Sequence, residues 1–237
     1  MRAILQGKAV LIGLLLAAGV FMAQGTAQAD TISAIIAADN HFAFYVGNAS
    51  GSDLTYIGRN MYGDGDDNGY NWQQAITFTN VTVKPGQYLY VAAWDDGAPH
   101  MWVGEFTLPD GTKLYSNTSD WVFKVGSAAN PGPDGDLDNN TVKQDIAAGG
   151  WARPQVQEDF TSGIWPQVDG GVHTFDPNTL AKYLWHDDFD DSASNDYYAI
   201  FRTAAPVAHA PLPPTMLLLG SGLVGLGLLR RKRSLKK

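Results

Sequence analysis

The sequence predicts an all-β body of the sandwich or barrel class, and three observations carry that expectation. Of 24 acidic residues 22 are Asp and only Glu105 and Glu158 are Glu. Asp favours turns and caps while Glu favours helix interiors, so the ratio disfavours a helical protein. Short runs rich in Val, Ile, Thr, Tyr and Phe recur between clusters of Gly, Pro, Asn and Asp, the pattern of many short strands. A single stretch, residues 141–148, reads as helix, ended by Gly149-Gly150. Aromatics make up 11% of the 237 residues, more than a disordered acidic chain carries, so the charge decorates a folded body.

The ends differ from this body. Residues 1–29 carry Arg2 and Lys8, an apolar run over 9–23, and Ala27-Gln28-Ala29 before Asp30. A basic start, an apolar stretch and an A-x-A site form a secretory signal peptide, with cleavage by signal peptidase leaving Asp30 first. Residues 30–205 form the predicted β domain, with strands over 31–37, 42–46, 54–57, 75–83, 88–94, 101–108, 121–125 and 197–202. Lys84-Pro85-Gly86-Gln87 places Pro and Gly at the centres of a type II turn between two of them. In the strand at 101–108, Trp102, Gly104, Phe106 and Leu108 alternate with Met101, Val103, Glu105 and Thr107, which predicts a half-buried strand. Pro109-Asp110-Gly111-Thr112 supplies the next turn.

After a Pro-rich linker, 206–214, comes an apolar run at 215–229 and a basic tail, 230–237. At about 1.5 Å per residue a 15-residue helix spans roughly 22 Å, and flanking Lys and Arg snorkel to cover the remaining thickness. The positive-inside rule puts the tail in the cytoplasm and the acidic body across the membrane. Pro211-Leu212-Pro213-Pro214, the apolar run and Arg230-Arg231-Lys232-Arg233, in that order, resemble the PEP-CTERM sorting signal of exported Gram-negative proteins, with PLPP in place of the name-giving triplet. The resemblance implies processing by exosortase, a transient inner-membrane anchor, and delivery to the cell surface or extracellular matrix of an organism that makes exopolysaccharide. Gly220-Ser221-Gly222-Leu223-Val224-Gly225 matches a dinucleotide fingerprint formally, but it lies within the apolar run with no strand before it.

Residues 38–48, beginning Ala38-Asp39-Asn40 and ending Gly47-Asn48, together with Asn71-Trp72 and 83–94, resemble the galactose-binding-like family. That resemblance implies a jelly-roll-like β-sandwich.

Composition closes off several functions. The chain has no Cys, which excludes disulfide scaffolds, thiol catalysis and thiolate zinc sites. Its net charge is −8, and between residues 30 and 210 the 24 acids face only eight Lys and Arg, a net of −16. Such a surface repels nucleic acid. His41, His100, His173, His186 and His209 form no metal-ligating motif, and no G-x-S-x-G elbow occurs.

Two Asp-rich loops have the spacing of calcium loops. Asp134, Asp136, Asp138 and Asn140, with Asp145 at the twelfth position, resemble a dockerin or EF-hand loop, and alternate oxygens plus one distant carboxylate suit Ca²⁺. Asp64, Asp66 and Asn68 repeat the first half, with Ala75 at position twelve. The alternative for both is a set of solvated turn residues. Trp94-Asp95-Asp96-Gly97 closes a predicted strand and suggests a sugar contact, because Trp stacks on apolar sugar faces while Asp bonds hydroxyls. The reading is of a noncatalytic surface protein associated with exopolysaccharide and with biofilm or floc formation. The alternatives are an adhesive or structural protein with protein partners, and a polysaccharide-degrading enzyme.

Overall fold

A computed structural model describes residues 29–63, 65–66, 69–70, 75–95, 100–159, 175, 179–187 and 196–208. They belong to one compact unit, Ala29–His209. In chain order its elements are β1 (Asp30–Asp39), β2 (His41–Gly47), β3 (Thr55–Arg59), β4 (Gly65–Asp66), β5 (Gly69–Tyr70), β6 (Ile76–Val83), β7 (Tyr88–Trp94), β8 (Met101–Thr107), β9 (Lys113–Tyr115), β10 (Trp121–Ala129), α1 (Asn139–Ala148), β11 (Val156–Asp159), β12 (Lys182–Trp185) and β13 (Tyr197–Thr203).

Two antiparallel sheets form the body. One has the order β11-β12-β8-β1-β6, with β9 sharing the β8 edge with β12; the other has the order β10-β13-β7-β2-β3. The chain passes from the first sheet to the second at Asn40, between β1 and β2, where the Asp39–Asn40 peptide is cis. Asn60 fastens this crossing: its Oδ1 accepts from the Phe42 amide at 3.0 Å and its Nδ2 donates to the Asn40 carbonyl at 2.6 Å.

Between the sheets lies an aromatic core. Phe44 of β2 meets Phe106 of β8 at 5.9 Å between ring centres, and Trp102 of β8 meets Phe201 of β13 at 5.4 Å. Trp121 stands edge-on to Trp102 at 4.8 Å and also touches Phe106. Such offset and edge contacts suit the ring quadrupoles, and the fully buried rings dominate the apolar area removed from water. All eight expected strands form, and the all-β two-sheet architecture agrees with the sequence reading. The five strands not anticipated, β4, β5, β9, β11 and β12, are two to four residues long. Runs that short carry too little periodicity to register.

One strand differs from expectation. Alternation in β8 predicted a half-buried strand, yet every residue from Met101 to Phe106 is buried. The polar member of its second face, Glu105, is satisfied there by Lys113 Nζ at 2.6 Å and by the Thr179 hydroxyl at 3.0 Å. Both turns form as read. Gly86 sits at φ +83° with the Gln87 amide donating to Lys84 O at 3.0 Å, and Gly111 sits at φ +84° with its amide donating to Leu108 O at 2.9 Å.

Helix α1 covers the outer face of the second sheet. Val142 and Ile146 pack with Ala43, Tyr45, Tyr90, Ala92, Tyr198 and Ile200 in a second, smaller core. This cover explains why β2 is buried along its whole length instead of alternating. The helix starts at the Asp138 N-cap, whose carboxylate accepts from the amides of Asn140 and Thr141, and stops at Gly149, φ +67°. No helix among the described residues is long and apolar enough to cross a membrane. The apolar run 215–229, the motif Pro211 to Pro214, the Arg230 to Arg233 cluster and Ala27 lie outside the described residues; Ala29 directly precedes β1.

Candidate functional site

At the β3 edge of the second sheet, the segment that runs into α1 folds back over the sheet, and Arg59 holds it there. The Arg59 side chain is only 5% exposed. Its guanidinium lies 4.1 Å from the centre of the Tyr62 ring and 5.0 Å from that of Trp94. It donates to Asp136 Oδ1 at 2.9 Å and to the carbonyls of Gly135, Met61 and Pro133. A planar fork with five donors is suited to gathering several oxygens this way, and the two rings add cation–π attraction. Trp94 Nε1 donates to Gly132 O at 3.1 Å, a second fastening of the same segment. Gly135 admits no side chain, since a Cβ there would stand 2.1 Å from the Pro131 carbonyl oxygen.

Between this segment and the sheet lies a cleft of about 190 Å³. The rings of Tyr45, Tyr56, Tyr62 and Trp94 line it together with Asp136 and Asn139, above Ala43 and Leu137. Tyr56 and Tyr62 are the exposed walls, at 44% and 54%, while Tyr45 and Trp94 are buried. Tyr45 and Tyr56 meet edge to face at 5.5 Å. Asp136 stands at the mouth with its side chain 62% exposed, and it accepts from the Tyr62 hydroxyl at 3.0 Å.

The charges follow from these contacts. Hydrogen bonding to Arg59 holds the Asp136 carboxyl below the ordinary carboxylate range, so it is ionised at neutral pH. Burial pushes the Tyr45 and Tyr56 phenols up, and both stay neutral donors. The cleft therefore offers apolar ring faces, phenol donors, a carboxylate acceptor and the side-chain amide of Asn139. Apolar faces edged by hydrogen-bonding groups are what a hydroxylated ring requires.

The structure distributes the expected site residues differently from their spacing. Trp94 lines the cleft, but its neighbour Asp95 is buried beside His100, with Oδ2 3.5 Å from Nδ1, and Asp96 lies outside the described residues. Of the first Asp-rich loop, Asp134 is exposed, Asp136 turns to Arg59 and Tyr62, and Asp138 caps α1. Asn140 stands in the first turn of α1. Asp145, on the buried side of α1, accepts from the Tyr198 hydroxyl at 2.5 Å and the Ser127 amide at 3.0 Å. Among the described residues no three His, Asp or Glu side chains gather in a group able to hold a metal ion. Of the second loop, Asp66 lies in β4, paired with Gly69 of β5, and Asp64 and Asn68 are outside the described residues.

Sequence reasoning did not reach Arg59, Tyr45, Tyr56, Tyr62 or Asn139 as site residues. Tyr45, Tyr56 and Tyr62 lie within 18 positions of one another, but only the pairing of β2 with β3 sets Tyr45 opposite Tyr56, and only the contacts of Tyr62 with Arg59 and Asp136 bring it beside them. No protein-family model matches the chain, and neither a curated protein nor a solved structure does.

Proposed function

We propose that this chain is an exported, noncatalytic protein of the cell surface or extracellular matrix, sorted by exosortase and associated with exopolysaccharide. The observation that carries this reading is the order of its parts: a signal-peptide pattern, an acidic domain, then the proline motif, apolar run and basic cluster. The domain fits such a role. Its two sheets share one aromatic core, and its outer surface carries a cleft lined by four aromatic rings and one carboxylate, suited to holding a ligand.

The test is expression of the full chain, and of a variant with Arg230, Arg231, Lys232 and Arg233 all changed to Gln, in an exosortase-bearing Gram-negative host. The expected result is that the full chain is shortened and recovered with surface or matrix polysaccharide, while the variant stays uncut in the inner membrane. Equal retention of both chains, uncut, in the membrane overturns the reading.

A further inference from the structure

We propose that the cleft between Tyr56, Tyr62 and Asp136 is a binding site for one uncharged hexopyranose unit of a polysaccharide. This inference rests on the function proposed above and gives it a site and a ligand class.

Size is the first argument. Sites that enclose drug-sized ligands measure about 300–1,000 Å³. The cleft, at about 190 Å³, is smaller and accommodates a single ring presented on a longer chain. Its walls supply the second. Tyr56 and Tyr62 are exposed while the rings behind them, Tyr45 and Trp94, are closed off, so the cleft presents aromatic surface to solvent in spite of the cost of leaving it wet. A pyranose has apolar C–H faces to lay on such rings and hydroxyls on its rim for Asp136, Asn139 and the phenols.

Charge selects among sugars. Rings beside a carboxylate would also suit an organic cation, but Arg59 already fills the cation position over Tyr62 and Trp94. The same guanidinium balances Asp136, which leaves the cleft without a net cation to attract an acidic sugar. Asp134 and Asp138 are exposed on either side of Asp136 in the chain, and the domain as a whole is strongly acidic. A uronate carboxylate entering here meets like charge, and among the described residues that line the cleft there is no Lys or Arg to receive it.

The experiment is a calorimetric titration of the full chain, purified in a sugar-free detergent, with glucose- and galactose-based hexaoses and with oligo-uronates of the same length. The expected result is saturable binding of a neutral hexaose and none of the uronates. Tyr62→Ala and Tyr56→Ala should each weaken that binding roughly tenfold, and Leu180→Ala, at an exposed position outside the cleft, should leave it unchanged. Asn139→Ala, which leaves the ring walls in place, should weaken binding while the melting temperature holds. The proposal is overturned if no neutral hexaose binds, if uronates bind as tightly, or if the Tyr56 and Asn139 variants bind like the parent. Failure here with normal sorting and recovery alongside polysaccharide removes the site and spares the broader reading. Hexaose binding by a chain that is never exported does the reverse.

Discussion

At the scale of single residues, the acidic side chains divide between solvent and structure. Asp145 shows the second use. It is buried on α1 and receives the Tyr198 hydroxyl and the Ser127 amide, while Lys124 Nζ donates to its carbonyl at 2.5 Å and to Gly149 O at 3.1 Å. Gly126 makes room for the tyrosine, because a Cβ there would stand 2.4 Å from the Tyr198 ring. A Tyr198→Phe variant keeps the ring and removes one donor from a buried carboxylate. The expected cost is about 1–3 kcal/mol of unfolding free energy, measured by urea denaturation. A result within a few tenths would mean that water takes the place of the phenol. In the sequence, Asp145 fitted the twelfth place of a calcium loop as well as it fits a helix interior. Spacing records distance along the chain, and which way the side chain turns depends on what packs beside it.

The element that decides this point is α1. A calcium loop of the expected spacing would keep residues 134–140 wrapped round an ion and bring Asp145 back to it. Instead the helix begins at Asn139, its N-cap Asp138 is engaged by the Thr141 hydroxyl at 2.8 Å, and Asp136 belongs to Arg59. Hydrogen bonding from Thr141 lowers the Asp138 carboxyl below the usual range, which favours its charged, capping form. A cation at this loop competes with these bonds for the carboxylates of Asp136 and Asp138. If this loop keeps those bonds, the expected melting temperature is the same in millimolar Ca²⁺ and in chelator, because an ion that stays off the native state adds nothing by linkage. A rise with Ca²⁺ would place an ion on the native chain. The longer strands and the helix were legible in the sequence because their turn residues and apolar runs act locally. The two-sided burial of β2 and β8 was not legible, since α1, which covers β2, and Thr179, which bonds Glu105 of β8, come from distant parts of the chain.

On the scale of the whole molecule, the last described residues close the sandwich. After β13, the Val207 amide donates to Gln87 O and the Ala208 carbonyl accepts from the Gly86 amide, both at 2.9 Å, and Val207 and Ala208 are buried. This clasp binds the residues that precede the proline-rich stretch Pro211 to Pro214 to the turn between β6 and β7. Val207→Asp puts an unpaired charge into it, and the expected loss is about 2 kcal/mol or more, seen as a lower thermal midpoint. An unchanged midpoint would show that the clasp opens freely. The sequence by itself determined the division of the chain into basic apolar ends and an acidic middle, the β character of that middle, and most of its strand positions. These depend on composition and on order along the chain. Only the tertiary structure decided which of the described acidic residues are exposed and which are held by hydrogen bonds, and that Trp94 shares a cleft with Tyr45, Tyr56, Tyr62 and Asp136 instead of with its neighbour Asp95. Strand pairing and the folding of one segment over a sheet edge bring distant residues together, and no local pattern records those contacts.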